Sequence, residues 1–392
     1  MKRTLATLLA ASMLSSAAWA EDVKIGFVTT LSTGGAVIGN QMKNAVELAM
    51  EHLGGEAGGH SLEVIFGDDQ FAPEAGKQAT DKLVKQDDVD FVAGYIWSNV
   101  LLASRNSVVD ADKFLISANA GPSQMAGVLC HPNFFSTSWQ NDQTPMAMGE
   151  VLNQLGVQSL YVMAPNYAAG NDMVAGVERT FAGEIVGKDL TKWGADAQLD
   201  FSAELAKART SGAEAIFVFY PGPAAGAFAR QYDQLGLADE LPLYSVFTVD
   251  AISLPRLQEA GFEAVIGSRT TQQWDPTLDN AANERFVTDY KAKFGEYPSY
   301  YAAQSYDAIM LIASAVEAVD GNMEDKDAVR EALRAAEFDS VRGEFRFGPN
   351  HLPIQDFYLR EVIVDEDGAW TTKVVQTVFE DHQDSYAEQC NM

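Results

Sequence analysis

The residues with chemical reach in this chain gather where short apolar runs end. Val89–Ala93 is strand-like and exits into Gly94-Tyr95-Ile96-Trp97-Ser98-Asn99. A helix-like run to about Asp112 follows, and a second strand, Lys113–Ala118, ends in Asn119-Ala120-Gly121-Pro122. Ser98 stands where the helix begins, so its hydroxyl and the neighbouring N–H groups would face an anion together. A plain helix cap accounts for the same serine without any ligand. Thr33, Asn166-Tyr167, Tyr220 and Phe247-Thr248 hold matching positions after other apolar runs. Small, hydroxyl-bearing and aromatic side chains grip a small molecule by stacking and a few hydrogen bonds. Any one of them reads equally well as a turn residue or a core aromatic. Their recurrence at strand ends in both halves points to a cleft between lobes.

Chemistry that would transform a ligand has no signature here. The chain lacks G-x-S-x-G, G-x-x-x-x-G-K-[ST], H-E-x-x-H and G-x-G-x-x-G. The histidines, at 52, 60, 131, 351 and 382, have no ligand spacing. Asp68-Asp69 follows a strand and reads either as a cation site or as a helix-capping turn, with the turn favoured. No enzyme, cofactor or metal is expected. The 27 basic and 55 acidic residues give a net charge of -28. Such a surface repels nucleic acid and anionic lipid and suits a freely diffusing protein. An anionic ligand would then be held by local dipoles, not drawn in by the global field.

Elements that position these loops follow from periodicity. Residues 1–20 read as a signal peptide, with Lys2 and Arg3, an apolar stretch from Leu5 to Ala18, and the cleavage site Ala18-Trp19-Ala20. A periplasmic protein is the expectation. About 370 further residues call for two lobes. Strand Val23–Val28, helix Ile38–Leu53, strand Ser61–Phe66 and helix Pro73–Lys85 lead into the first stretch described. This alternation predicts a parallel sheet covered on both faces. Phe134–Gln140 looks like a crossover, after which the alternation starts afresh. Ile266–Gln272 looks like a second crossover. The α/β reading is therefore two Rossmann-like lobes with parallel central sheets. Cys130 and Cys390, an even pair in an oxidising compartment, read as a disulfide tethering the tail, with two lone thiols the alternative. The acidic segment Glu380–Glu388 is expected to be solvated except where Cys390 holds it.

Several segments, in order, resemble the type I periplasmic solute-binding proteins of the branched-chain amino-acid (Leu/Ile/Val-binding-like) ABC transporter family. They are Val23-Lys24-Ile25-Gly26-Phe27, Leu115–Ala120, Asn166-Tyr167-Ala168-Ala169-Gly170, Pro298-Ser299-Tyr300 through Ser305-Tyr306-Asp307-Ala308, and Gly343-Glu344-Phe345-Arg346-Phe347. The resemblance spans the mature chain. It implies three interlobe crossings, an N-terminal lobe of residues 21–138 plus 270–347, a C-terminal lobe of 139–269 plus 348–379, and a tail, 380–392. It also implies closure over one ligand and work with a membrane permease and ATPase; a monomer is expected.

Carried over by resemblance, Ser98 matches a carboxylate-binding serine, and Asn119, Ala120 and Gly121 match the turn that completes the grip. Gly121 departs from the threonine that amino-acid binders commonly offer. Phe247 stands where they place the acid that meets the ligand's ammonium, and an apolar ring cannot do that. Ile38 lies where many members stack an aromatic ring. With Trp97, Tyr167, Tyr220, Phe247 and Thr248, the reading is a pocket for a non-amino carboxylate with an aromatic or hydrophobic body, resembling the family's aromatic-acid branch. Asn166 and Tyr167 would bond a ring hydroxyl. Two alternatives stay open: a branched-chain amino-acid binder whose ammonium meets Asp250 or Asp307, and a sensor input to a membrane receptor.

Overall fold

In a computed structural model, residues 22–194 and 197–392 are described, so the expected leader lies outside them. The first lobe opens with β1 (Val23–Thr29), α1 (Ala36–Leu53), β2 (Glu56–Ala57), β3 (His60–Asp68) and α2 (Pro73–Lys85). It continues through β4 (Phe91–Gly94), α3 (Ser98–Val109), β5 (Phe114–Ser117), α4 (Ser123–Ala126) and β6 (Phe134–Ser136). Its sheet runs β2-β3-β1-β4-β5-β6, parallel apart from the short β2–β3 hairpin. Strands β4 and β5 are buried along their whole length, as a sheet covered on both faces requires. Helix α1 turns Ile38, Met42, Ala45 and Ala49 inward at helical spacing and stops at left-handed Gly54.

The chain then crosses to α5 (Gln143–Gln154), β7 (Ser159–Pro165), α6 (Ala168–Thr180), β8 (Glu184–Thr191) and α7 (Ser202–Thr210). Next come β9 (Ala215–Phe219), α8 (Pro223–Gln234), β10 (Leu243–Val246), α9 (Leu254–Ala260) and β11 (Arg269–Gln272). It returns to the first lobe for α10 (Ala281–Phe294), α11 (Tyr300–Ala318) and α12 (Lys326–Ala335). A last crossing leads to β12 (Arg346–Phe347), β13 (Pro353–Val364) and β14 (Trp370–His382). The second sheet runs β12-β13-β11-β10-β9-β7-β8, with β14 on β13. Its core is parallel, but β12, β13 and β14 add antiparallel pairing at one side. Helix α11 is buried on nearly every face because it is wedged between α1 and α12.

Four expectations need correction. The segment read as the second crossover contains β11, which hydrogen-bonds into the second sheet, so the crossing begins after Gln272. Arg346-Phe347, assigned above to the first lobe, pairs with β13. Ser98 is the first residue of α3 rather than its cap; Trp97 precedes it. The tail is not a solvated segment. Strand β14 runs on to His382, Asp384 accepts a hydrogen bond from Asn350 at 2.9 Å, and the Tyr386 hydroxyl donates to Asp142 at 2.8 Å. Cys130 and Cys390 are disulfide-bonded across 260 residues of sequence.

Polar side chains at the crossings are tied together. Arg342 donates to the carbonyls of Thr137 and Ser138 at 2.7 and 3.2 Å and to Asp307 at 3.1 Å, so the first and third crossings share one cation. At the second crossing, buried Asp275 faces Arg360 of β13 at 3.6 Å and accepts from Thr372 of β14 at 2.7 Å. Charges so deeply placed hold only as satisfied pairs.

Candidate ligand-binding cleft

Strand order determines where the cleft lies. In the first sheet the chain leaves β1 for β3 on one side and β4 on the other; in the second it leaves β7 for β8 and then β9. At such switch points the connecting loops part and leave a crevice. A narrow cavity, about 10 Å³ in volume, lies between the two crevices.

On the first lobe the turn after β4 is forced. Gly94 has φ +113, and a Cβ there would sit 2.2 Å from the Val28 carbonyl oxygen. Tyr95 follows at φ 67, its N–H donating to that same oxygen at 2.7 Å. This tight exit brings Trp97 and Ser98 to the cavity wall. The indole N–H of Trp97 donates to Thr30 at 2.8 Å, and Thr30 donates to Asp69. Val100 and Leu101 both donate to the Trp97 carbonyl at 3.0 Å, so Ser98 and Asn99 carry the open N–H groups of the helix start. Ser98 Oγ accepts from Asn141 Nδ2 at 3.1 Å and keeps its own proton to donate. The next turn contributes Asn119 and Ala120, with Asn119 Nδ2 held by the Ile96 carbonyl at 2.7 Å.

Across the cleft α6 also begins at the wall, through Tyr167 and Ala169. Two helix starts, one per lobe, therefore meet at one space, and their dipoles favour an anion there. The lobes are joined beside it. Asp172 of α6 accepts from the Ser123 hydroxyl at 2.8 Å, the Ser123 N–H at 3.0 Å and Asn141 at 3.0 Å. Burial raises its carboxyl above the usual range.

The remaining wall is aromatic. Phe247 sits at φ 54, a strained setting for a bulky residue, with its ring 4.7 Å from Trp139 and 4.8 Å from Tyr300. Phe219, Pro221, Met173, Ile96 and Tyr301 complete it. Burial pushes the phenols of Tyr167, Tyr300 and Tyr301 upward, so they stay neutral. Among the described residues, no charged side chain stands on the wall. Asn119 Oδ1 and Trp139 Nε1 are buried without a protein partner.

Of the residues singled out from sequence, Trp97, Ser98, Asn119, Ala120, Tyr167 and Phe247 come together here. The others do not. Tyr220 turns into the second lobe's core, its ring 4.6 Å from Phe201. Thr248 accepts from the Tyr220 N–H at 2.7 Å and so shapes the turn. Gly121 packs on the first crossing, where a Cβ would lie 2.0 Å from the Trp139 carbonyl oxygen, leaving no room for threonine. Ile38 is buried in α1 and faces Gly222 of the second lobe, where a Cβ would lie 3.3 Å from its Cδ1, without joining the wall. Asn166 is exposed. Asp68 and Asp69 accept from Gln70 and Phe71 N–H, a turn rather than a helix cap, since α2 starts after Ala72 with no side-chain cap bond. Sequence reasoning missed Trp139, Asn141 and the Tyr300-Tyr301 doublet. An aromatic and an amide inside a crossover, and paired tyrosines after Ser299 at a helix start, were the available signals.

The periplasmic binding protein family matches residues 22–369 of this chain. The chain belongs to that family. Among relatives of this binding protein, the Leu/Ile/Val-binding protein homolog 6 of Brucella abortus (strain 2308) is 28% identical over 388 residues, 96% of this chain and 97% of the relative. A solute-binding protein of an ABC transporter from R. palustris, solved in complex with benzoate, superposes with a TM-score of 0.86 at 28% identity, covering 95% of this chain and 100% of the other. Another, from Rhodopseudomonas palustris BisB5 in complex with 3,4-dihydroxybenzoic acid, gives 0.82 at 26% identity over 92% and 98%. Among the described residues of the binding protein, no helix is long and apolar enough to cross a membrane.

Proposed function

We propose that this protein is the periplasmic substrate-binding component of an ABC uptake transporter and that its cargo is a small aromatic carboxylate. The carrying observation is a neutral aromatic wall meeting a serine at a helix start. An ammonium placed there would be buried without a counter-charge, which is costly. The two carboxylates weighed for that task are engaged elsewhere. Asp307 holds Arg342, and Asp250 accepts from the backbone N–H groups of Ile252 and Ser253. The carboxylate of the ligand would take Ser98 Oγ and the N–H groups of α3 and α6, while the ring lies among Trp139, Phe247 and Tyr300. Asn119 Oδ1 and Trp139 Nε1 offer an acceptor and a donor to polar ring substituents. The relatives solved with benzoate and dihydroxybenzoic acid support this class.

The mechanism is hinge closure. The ligand meets the first lobe, the second lobe's rings complete the pocket, and a membrane permease with its ATPase recognises the closed form. No residue transforms the ligand, and the carrier acts as a monomer. Protein unfolded and refolded to strip carried-over ligand is mixed with substituted benzoates and cinnamates, aliphatic keto acids, leucine, valine and phenylalanine, and its melting temperature read. A ligand at 100 times its Kd adds about 2.7 kcal/mol, an easily seen shift. Stabilisation by aromatic acids lacking an amine is expected; stabilisation by the amino acids alone would sink the reading.

A further inference from the structure

Behind the cavity wall lies a second group of rings that belongs to neither lobe alone. Phe71 follows β3 in the first lobe, and its ring is 4.2 Å from Trp97. Trp193 follows β8 in the second lobe and reaches across to both, 5.2 Å from Phe71 and 5.5 Å from Trp97, nearly edge-on. On its own side Trp193 stacks on Tyr167 at 5.1 Å with 17° between the planes. Neither Phe71 nor Trp193 is on the wall, yet each backs a residue that is. The separations of Trp193 from Phe71, Trp97 and Tyr167 fall in the range where aromatic pairs attract beyond simple burial.

The first-lobe half of this contact is set in advance. Gln70 and Phe71 both have positive φ, 50° and 62°. Their N–H groups are caught by Asp68 and Asp69 at 3.0 and 2.9 Å. Asp69 in turn holds Thr30, which accepts the Trp97 indole. A bulky residue in the left-handed region persists only when its surroundings over-determine it. Here they aim the Phe71 ring at the place where Trp193 arrives.

We propose that Trp193 is a positioning residue that clasps the lobes shut independently of the ligand, and that in doing so it fixes Tyr167 against the bound ring and sets the rate of release. Only contacts made in the closed form shift the opening equilibrium, and the Trp193 contacts with Phe71 and Trp97 are of that kind, being between lobes. Ligand that leaves must wait for them to part.

The test has a readout that needs no ligand and one that does. Small-angle X-ray scattering of stripped protein should give a larger radius of gyration for Trp193→Ala than for wild type, with Trp193→Phe in between. With benzoate as the probe, stopped-flow release from Trp193→Ala should be at least tenfold faster, with the association rate changed less than threefold, and Trp193→Phe should recover most of the difference. Phe71→Ala should act in the same direction, and the double variant should be no worse than Trp193→Ala. A folded Trp193→Ala protein with unchanged radius and unchanged release overturns the proposal. Failure of wild type to bind benzoate or the other aromatic acids would instead sink the ligand class, while the scattering comparison still decides the clasp.

Discussion

The hydroxyl of Ser98 accepts a hydrogen bond from Asn141 while keeping a proton to give, and Asn141 is shared with Asp172 of the other lobe. On the proposed reading, one serine would meet both the ligand's charge and the interlobe contact through Asn141. Removing a hydrogen bond to a charged group forfeits about 1.5–3 kcal/mol, so Ser98→Ala should raise Kd by about 10- to 150-fold, read by titration calorimetry with the best aromatic acid of the panel. Ser98 could be singled out from sequence as a hydroxyl after a short strand where a helix opens, although a plain cap accounted for it as well. Phe247 was legible for the opposite reason, as an apolar ring where a charge was expected. Tyr220 and Thr248 misled because both also follow strands. One residue of register at a strand exit decides whether a ring faces the cleft or the lobe's own core, and no local pattern encodes that choice.

At the level of elements, the three crossings behave as one bundle because Arg342 binds the first to the third and Arg360 binds the second to β13. Arg342→Met would leave Asp307 buried without its partner, at a cost of about 3–5 kcal/mol; urea denaturation should show most of it returned in Arg342→Met/Asp307→Leu. Helix α2 could be delimited from sequence to the residue, since its proline start and apolar period agree. Strand β11 was lost to a crossover reading because Arg269–Gln272 is polar, although its last three residues are buried. Its burial comes from partners more than 80 residues away in β13, which local periodicity does not see. The turn between β12 and β13 carries His351, stacked 4.2 Å from Phe135 and bonded to the Phe134 carbonyl at 3.0 Å. Burial lowers its pKa to about 4. Between pH 6.5 and 4 the unfolded chain therefore binds a proton that the folded ring refuses, and stability falls as pH drops through that window. The loss reaches about 3 kcal/mol. Melting curves at pH 7 and pH 4.5 should diverge less in His351→Gln than in wild type.

For the molecule as a whole, a net charge of -28 with an uncharged pocket separates two tasks. On the proposed reading, the surface would keep the carrier dispersed while the helix starts inside hold the ligand. The bridge from Cys130 to Cys390 adds a property of a different kind. All three crossings, and the whole second lobe, lie on the 260-residue arc it closes. The folded chain is therefore a covalent ring with one long free arm, the residues before Cys130, and a stub of Asn391 and Met392. Cutting a ring once opens it without dividing it. A protease that nicks any one bond between these cysteines should leave a species of undiminished mass on a non-reducing gel, and two fragments should separate only after a reductant is added.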